Sequence, residues 1–413
     1  MEDKLPTGST QRYGSVKRTL FAWLAPELRR TAAVLFAVQF VRGAVLISFL
    51  PIFGKNALAH SLETIGAAIT ALFLSDTCLK LAIGYLLDRF SPGAVVRVGL
   101  IASLAGVAAM GAADRPWLFI VAAAVYGAGV SPIWIVCLTR VRREKRATQM
   151  GMLYTIWLVG LGAGPVATNA LLEVNYTWTY ALLVACCALN WLLAHGLAAE
   201  RIGDGLVVPF REQWRMMRQR LQDTKPLLPG MVLQAATAGM LLPILPSFAE
   251  VQLGLTPSQY SLLLLIGGGC TALGLVPMGR LADRFGQRRF LTAGFFGFGV
   301  ALYALTLHPS VPLAMVCALA LGLCYSAVLP AWNALLAAYI PPAQRGLGWG
   351  IFSTVEGVGG VFGPYFGGLI ATLWGEGFLV GLAGVIFGAI GILYLILPLR
   401  TQGGDNPAAT VKE

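Results

Sequence analysis

Four ionisable residues stand inside apolar stretches of the sequence, where a charge needs a partner or a function. They are Arg42, Asp76, Lys80 and Glu356. An ionisable group in a membrane-spanning helix costs at least about 2.5 to 3.5 kcal/mol on insertion scales. Because Asp76 and Lys80 are four residues apart, they share one face of a helix and can form an ion pair across one turn. Arg42 can share the same carboxylate.

The trio of Arg42, Asp76 and Lys80 has two chemical interpretations. A carboxylate held between two cations stays ionised until a conformational change separates it from them, which is the chemistry of a proton switch. The alternative is a static ion pair that fixes two helices together, because buried pairs often specify packing. Both interpretations require helices that bring Arg42 close to Asp76.

The rest of the sequence predicts such helices. Of the 413 residues, 57% are hydrophobic and only 12% are charged, which is too little polar surface for a water-soluble protein of this size. Apolar runs of about 20 or more residues, long enough to cross a hydrocarbon core, recur between short polar loops. They lack the two-residue alternation of barrel strands, so we predict an all-α membrane protein with twelve transmembrane helices. The predicted spans are 31–54, 64–88, 94–113, 116–139, 148–172, 176–198, 227–250, 257–282, 289–308, 311–338, 346–372 and 376–398.

The second half of the sequence repeats the first. The repeated pairs include Gly84 and Gly279, Asp88 and Asp283, Arg89 and Arg284, Pro132 and Pro330, and Trp134 and Trp332. A duplicated ancestral unit predicts two pseudo-symmetric six-helix bundles. We place them at 31–198 (the N half) and 227–398 (the C half), with a tail at 1–30, a linker at 199–226 and a second tail at 399–413.

The net charge of +11 follows membrane topology and does not indicate a nucleic-acid partner. Basic residues cluster before the first span, after the fourth and after the sixth, whereas only Lys55 and Arg115 fall in the alternate loops. Since Lys and Arg mark cytoplasmic loops, we expect both termini and the linker to be cytoplasmic. The predicted location is the cytoplasmic membrane.

The sequence offers neither a catalytic constellation nor a metal site. Its seven cysteines lack metal-ligand spacing, and its three histidines lie far apart in the chain. We therefore expect no enzymatic activity, no cofactor and no bound metal. We expect the chain to act as a monomer.

The segment Gly84-Tyr-Leu-Leu-Asp88-Arg89-Phe90 and its fuller copy at 279–289 resemble the loop 2/3 and loop 8/9 signature of the major facilitator superfamily. At a helix end, a carboxylate can pair with nearby arginines and accept backbone N–H groups from a neighbouring helix. Such a clasp would hold one conformation closed; the alternative is that these charges only stop the helices at the interface. Ser91 replaces the glycine of the second copy, so we expect a weaker clasp in the N half. The predicted clasp residues are Gly84, Asp88, Arg89, Gly279, Asp283, Arg284 and Arg288.

A narrower resemblance covers nearly the whole chain. Phe40-Val-Arg42-Gly43, Ser131-Pro132-Ile133-Trp134, Pro243-Ile244-Leu245-Pro246 and Leu329-Pro330-Ala331-Trp332-Asn333 look like the glycolipid flippases that serve lipoteichoic acid synthesis in Gram-positive bacteria. These flippases move a diglucosyl-diacylglycerol anchor. The resemblance implies proton-coupled transport by alternating access, through a cavity that is polar on its N-half side and apolar on its C-half side.

The same resemblance assigns roles to the ionisable residues. In that family, a carboxylate on helix 2 and an arginine on helix 1 are implicated in coupling, and they correspond to Asp76 and Arg42. The family's acidic residue three positions before the arginine is Gln39 here. We expect Glu356 to compensate for it; the alternative is a protonated Glu356 that only faces protein.

A disaccharide headgroup needs amides, hydroxyls and aromatic faces. We expect them on the N-half side of the cavity from Gln39, Trp134, Trp157 and Asn169, and on the C-half side from Gln234, Trp332 and Asn333. Both Trp134 and Trp332 follow a proline that kinks a helix, so a purely structural role is their alternative. The alternative function is a proton-coupled drug or small-solute efflux antiporter on the same scaffold.

Overall fold

A computed structural model of the chain describes residues 26–142, 145–172, 175–197, 212, 215, 227–242, 244–340 and 345–397. Most of the predicted N-terminal tail, the predicted C-terminal tail and nearly all of the predicted linker lie outside these residues. The described residues form twelve helices, one in each predicted span, which confirms the all-α prediction. By length and composition, nine of the described helices are able to cross a membrane.

The helices are numbered in chain order, and two of them are irregular. They are α1 (Pro26–Gly43, continued by a π-helical segment, Ala44–Phe53, and a last turn, Gly54–Asn56), α2 (Leu62–Arg89), α3 (Pro92–Gly111), α4 (Pro116–Thr139), α5 (Arg146–Leu172), α6 (Tyr176–Leu193), α7 (in two parts, Leu228–Leu241 and Leu245–Val251), α8 (Pro257–Phe285), α9 (Gln287–Leu305), α10 (Val311–Tyr339), α11 (Arg345–Trp374) and α12 (Glu376–Ile396).

Short polar side chains begin several of these helices. Ser61 caps α2 by accepting a hydrogen bond from the backbone N–H of Thr64, and Asn175 caps α6 in the same way. Thr256 and Gln259 form a capping box at the start of α8. These caps satisfy backbone donors that have no partner within the helix.

The two irregular helices depart from regular geometry at equivalent places. Pro51 lies inside the π-helical segment of α1 and has no N–H to donate. Its repeat, Pro246, lies near the start of the second part of α7. The π-helical segment begins two residues after Arg42, and such segments are often found at functional sites.

Equivalent helices of the two sequence repeats make equivalent contacts. Within the N half, α1 packs on α5, α2 on α4, and α3 on both α4 and α6; within the C half, α7 packs on α11, α8 on α10, and α9 on both α10 and α12. The halves meet where α2 packs on α11 and where α5 packs on α8 and α10. The first two of these contacts between the halves are themselves related by the repeat.

Small residues allow the close approach of α1 and α5 beside Arg42. A Cβ atom added to Gly43 would collide with the backbone carbonyl of Leu161, and one added to Gly164 would collide with that of Phe40. Glycines at such crossings let helix backbones touch inside a membrane. The backbone that carries Arg42 is therefore held firmly against α5.

Candidate functional site

The structure brings Arg42, Asp76 and Lys80 together. Nη2 of Arg42 donates to Oδ2 of Asp76 over 3.0 Å, and Nζ of Lys80 lies 3.5 Å from the same oxygen. The Asp76 side chain is 5% exposed, whereas those of Arg42 and Lys80 are 14% and 17% exposed. One carboxylate oxygen thus joins α1 to α2 and carries two cations.

The other carboxylate oxygen of Asp76 is free. Oδ1 is buried and accepts no hydrogen bond from a described residue. The hydroxyl of Ser131 donates to the backbone carbonyl of Asp76 over 3.3 Å. Oδ1 is therefore the carboxylate oxygen that can take up a proton once a conformational change draws Arg42 or Lys80 away.

Gln39 is buried one turn before Arg42, and its Oε1 atom accepts no hydrogen bond from a described residue. Its Cβ atom packs against Gly160 of α5. This side chain lies at the contact between α1 and α5, so the acidic residue of the resembling family is replaced here by a neutral amide in a packed position.

In the C half, Glu356 pairs with a tryptophan. Nε1 of Trp332 donates to Oε1 of Glu356 over 2.8 Å, which joins α10 to α11. The Trp332 ring is buried and lies 5.4 Å from the ring of Tyr394. Trp332 thus makes a polar contact to an acidic side chain in addition to packing.

Lys80 lies on the stretch of α2 that packs on α11, the helix that carries Glu356. A Cβ atom added to Gly350 would lie 2.7 Å from the Lys80 carbonyl, and Gly357 packs against Thr77, so α2 and α11 touch along this stretch. Three of the four predicted ionisable residues, Arg42, Asp76 and Lys80, therefore meet directly, and Glu356 lies on the helix that packs against α2.

Tyr154 is a site residue that the sequence analysis missed. Its ring lies 4.9 Å from the ring of Trp134 and 6.4 Å from that of Trp157, both edge-on. Its hydroxyl accepts a hydrogen bond of 3.0 Å from Nδ2 of Asn333 in the opposite half. The available signal was the spacing of three between Tyr154 and Trp157, which places both on one face of α5.

Two predicted cavity residues stand apart from this cluster. Gln234 is half-buried on α7, and its Oε1 atom accepts no hydrogen bond from a described residue. The backbone of Asn169 belongs to α5, but its side chain lies outside the described residues. Neither residue contributes to the contacts given above.

Asp88 caps a helix of the opposite half. Its two carboxylate oxygens accept the backbone N–H groups of Gly346 and Leu347, each over 2.9 Å, at the start of α11. Gly84 permits this contact, because a Cβ atom there would collide with the Gly346 carbonyl. The negative carboxylate faces the positive end of the α11 dipole.

Asp283 makes the equivalent contact at the start of α5, with one additional hydrogen bond. It accepts the N–H groups of Ala147 at 3.0 Å and Thr148 at 2.9 Å, and the Thr148 hydroxyl donates to it over 2.6 Å. Gly279 lies against the Ala147 carbonyl. Since Leu347 occupies the position equivalent to Thr148, the Asp88 contact lacks a hydroxyl donor.

The predicted pairing of these two carboxylates with arginines is absent from the part of the chain that the structure describes. Arg89 lies over the Tyr85 ring at 4.6 Å, and Arg284 lies over the Phe285 ring at 5.3 Å. The carboxylates are already satisfied by backbone donors at the helix starts, so the guanidinium groups turn to neighbouring rings.

Arg288 also differs from the expectation for a clasp residue. Its Nε atom donates to the Tyr394 carbonyl over 3.1 Å, and Nη2 donates to the Leu395 carbonyl. Arg288 therefore caps the carboxyl end of α12 and fastens α9 to it, within the C half.

Ser91, which replaces the glycine of the second copy, has its own structural role. Gly286 has φ of +96°, a conformation that side chains disfavour, whereas Ser91 has φ of −64° and caps α3 with its hydroxyl. The two turns are therefore built differently. No group of three or more His, Cys, Asp or Glu side chains that could hold a metal occurs among the described residues.

The sequence profile of the Major Facilitator Superfamily matches residues 32–220 and 227–412. The chain belongs to the major facilitator superfamily. Two curated relatives carry the name proton-coupled antiporter flippase LtaA. The one from Staphylococcus haemolyticus (strain JCSC1435) is 30% identical over 382 residues, 90% of this chain and 94% of the relative. The one from Staphylococcus aureus (strain MSSA476) is 30% identical over 347 residues, which are 82% of this chain and 86% of the relative.

Solved superfamily structures share the fold. The human organic anion transporter MFSD10 superposes with a TM-score of 0.73 at 15% identity, over 90% of this chain and all of that one. The Escherichia coli fucose:proton symporter FucP superposes with a TM-score of 0.73 at 14% identity, over 89% of this chain and 97% of the symporter. These comparisons confirm the resemblance drawn from the repeated Gly-x3-Asp-Arg-Phe segment, and they establish a multi-pass membrane protein of the superfamily.

Proposed function

We propose that this superfamily member flips a glycolipid across the cytoplasmic membrane by alternating access, in exchange for protons. The observation that carries the proposal is the Asp76 carboxylate, which holds two cations on one oxygen and keeps the other free inside a membrane helix. A buried ionisable group of this kind marks a proton or substrate pathway. Its relatives named proton-coupled antiporter flippase support the same assignment.

Alternating access requires the two halves to separate at one end. The contacts of Asp88 with α11 and of Asp283 with α5 hold that end closed here. Opening breaks these hydrogen bonds and moves α2 away from α11, which draws Lys80 away from Glu356. The same change of conformation separates Asp76 from one of its cations, so that Asp76 takes up a proton in one conformation and releases it in the other.

An aromatic cluster of the N half supports the proposed substrate class. The rings of Trp134, Tyr154 and Trp157 form an aromatic cluster, and the Tyr154 hydroxyl is held by the buried Asn333 amide. Aromatic faces with a polar partner suit a sugar headgroup. We assign diglucosyl-diacylglycerol as the substrate, as the flippase resemblance implies, and we propose that the chain works as a monomer.

The orientation follows from the basic residues. Arg89, Arg140, Arg142, Arg284 and Arg289 lie at the end where Asp88 and Asp283 make their contacts, whereas Lys55 and Arg115 lie at the other end. By the positive-inside rule, the closed end is cytoplasmic, and so are both termini. The aspartate contacts then close the cytoplasmic entrance of the cavity, and breaking them gives the inward-facing conformation.

Purified protein in proteoliposomes tests the function. Flipping of fluorescent diglucosyl-diacylglycerol is measured as the fraction of the label that an added quencher no longer reaches. The same measurement is made with labelled phosphatidylcholine, and uptake of a soluble cationic dye is measured in parallel. We expect glycolipid flipping that depends on a proton gradient and little movement of the other two. Movement of the dye without the glycolipid would instead establish an efflux antiporter, and equal flipping of both lipids would refute glycolipid selectivity. Asp114→Asn, an exposed loop change, is the matched control for changes at Asp76.

A further inference from the structure

Two apolar grooves flank the start of α9 on the outer surface of the C half. The groove between α9 and α12 has a volume of about 500 Å³, and its walls include Phe296, Ile392 and Leu395. The groove on the other side of α9, facing α8 and α10, has a volume of about 360 Å³, and its walls include Phe290 and Leu323. Several of these apolar side chains are about half exposed, so both grooves face the surrounding lipid.

A single cationic side chain stands at the mouth of both grooves. Arg289 lines the two of them, as does Ala293 one turn further along α9. Arg289 is exposed and makes no hydrogen bond or ion pair with a described residue, whereas its neighbour Arg288 is committed to the end of α12. The charge of Arg289 is therefore available to a ligand.

An unpartnered hydroxyl lies below this charge. Thr292 lines the larger groove three residues after Arg289, and its Oγ1 atom is buried without a hydrogen-bond partner among the described residues. The hydroxyl has no accessible surface, so it lies beneath the groove wall and is not a ligand contact. The surface of the groove consists of Arg289 followed by apolar walls.

We propose that this surface is a binding site for an anionic glycerophospholipid that straddles α9. Its phosphate pairs with Arg289, and its two acyl chains occupy the two grooves. The positive charge of Arg289 matches an anionic headgroup, and one groove on each side of α9 matches a lipid with two acyl chains. In the orientation proposed above, this lipid belongs to the cytoplasmic leaflet, but the site itself does not depend on that orientation or on transport.

The N half provides an internal comparison, because α3 is the repeat of α9. The α3 helix begins with the capping hydroxyl of Ser91 and carries Arg97 as its single basic residue, six positions into the helix and partly buried. The pair of adjacent arginines in the first turn is therefore a property of the C half. Arg97→Gln removes the same charge from the equivalent helix and serves as the matched control.

Native mass spectrometry of the detergent-purified protein tests the site with phosphatidylglycerol as the probe and phosphatidylcholine as its uncharged counterpart. We expect one phosphatidylglycerol to be retained more tightly than phosphatidylcholine. Arg289→Gln should weaken that binding about five- to tenfold, the effect of losing one arginine at a lipid phosphate. Arg289→Lys should retain most of it.

A second variant tests the grooves independently of the charge. Ala293 is exposed and lines both grooves, so Ala293→Trp should obstruct one of them and weaken lipid binding without disturbing the core. Melting temperatures without added lipid verify the fold of each variant. Phosphatidylglycerol binding that survives both changes would overturn the proposal, and so would equal loss in Arg97→Gln or equal retention of phosphatidylcholine.

Discussion

Arg42 and Asp76 are joined by a hydrogen-bonded ion pair of 3.0 Å between α1 and α2. The Arg42 side is anchored, because Gly43 beside it packs directly on the backbone of α5. The Asp76 side lies on α2, the helix that packs on α11 of the other half. The ion pair therefore links α1 to one of the two N-half helices that pack on the C half.

Two replacements of Arg42 distinguish the effect of its charge from the effect of its guanidinium geometry. We expect Arg42→Ala to abolish proton-linked flipping, since Asp76 then holds Lys80 alone and binds a proton in the wrong conformation. Arg42→Lys keeps a cation but loses the guanidinium geometry, so we expect about tenfold slower flipping. Flipping rates in proteoliposomes with and without a proton gradient provide the measurement. Full activity of Arg42→Ala would show that the pair is only structural.

Glu356→Gln keeps an acceptor for the Trp332 N–H but removes the carboxyl that can take up a proton. We expect the fold to be retained and the pH dependence of flipping to flatten. The comparison with Trp332→Phe separates the two functions of the pair, because that change removes the hydrogen bond and keeps the acid. If the pH profile of Glu356→Gln matches that of the unmodified protein, Glu356 does not compensate for the neutral Gln39.

The two aspartate contacts should differ in strength. Asp283→Asn loses charge-assisted hydrogen bonds to Ala147 and Thr148, each worth about 1.5 to 3 kcal/mol. We expect this variant to populate the conformation that is open at the end where Asp88 and Asp283 make their contacts. Asp88→Asn should have the smaller effect, since that contact lacks a hydroxyl donor. Distances between spin labels on the exposed positions 142 and 338 report the opening.

A hydroxyl control tests the origin of that difference. Thr148→Val removes only the side-chain hydrogen bond to Asp283, and we expect it to make the second contact about as weak as the Asp88 contact. An unchanged label distance in both Asp283→Asn and Asp88→Asn would show that these carboxylates do not hold the end closed.

Tyr154→Phe should weaken substrate recognition and leave proton coupling intact. The change keeps the ring contacts with Trp134 and Trp157 but removes the acceptor for the Asn333 amide. We expect a several-fold higher glycolipid concentration at half-maximal rate, with an unchanged maximal rate at saturating glycolipid. A lower maximal rate with unchanged concentration dependence would place Tyr154 in the conformational change and not in recognition.

The sequence predicts those parts of the site that depend on local spacing or on composition. The Asp76 and Lys80 pair follows from a separation of four residues on one helix. The twelve helices follow from the length of the apolar runs, and the equivalence of Asp88 and Asp283 follows from the repeat. Each of these features can be read without knowing how the helices pack.

Other parts of the site depend on tertiary packing that leaves no signal in residue type. The partners of Asp88 and Asp283 are backbone N–H groups of α11 and α5, which every sequence contains. The sequence predicts that these carboxylates accept N–H groups of a neighbouring helix, but it does not identify that helix, and the predicted arginine partners lie over aromatic rings instead. Tyr154 is an ordinary tyrosine until α10 brings Asn333 to its hydroxyl.

The most direct test of the central claim measures proton movement and glycolipid flipping in the same proteoliposomes, with a pH-sensitive dye inside and a quenchable label on the glycolipid. In the unmodified protein, we predict that added glycolipid drives proton flux and that a proton gradient drives flipping. In Asp76→Asn, both should be lost while Asp114→Asn retains both. Proton-coupled flipping by folded Asp76→Asn protein at the unmodified rate would contradict the account.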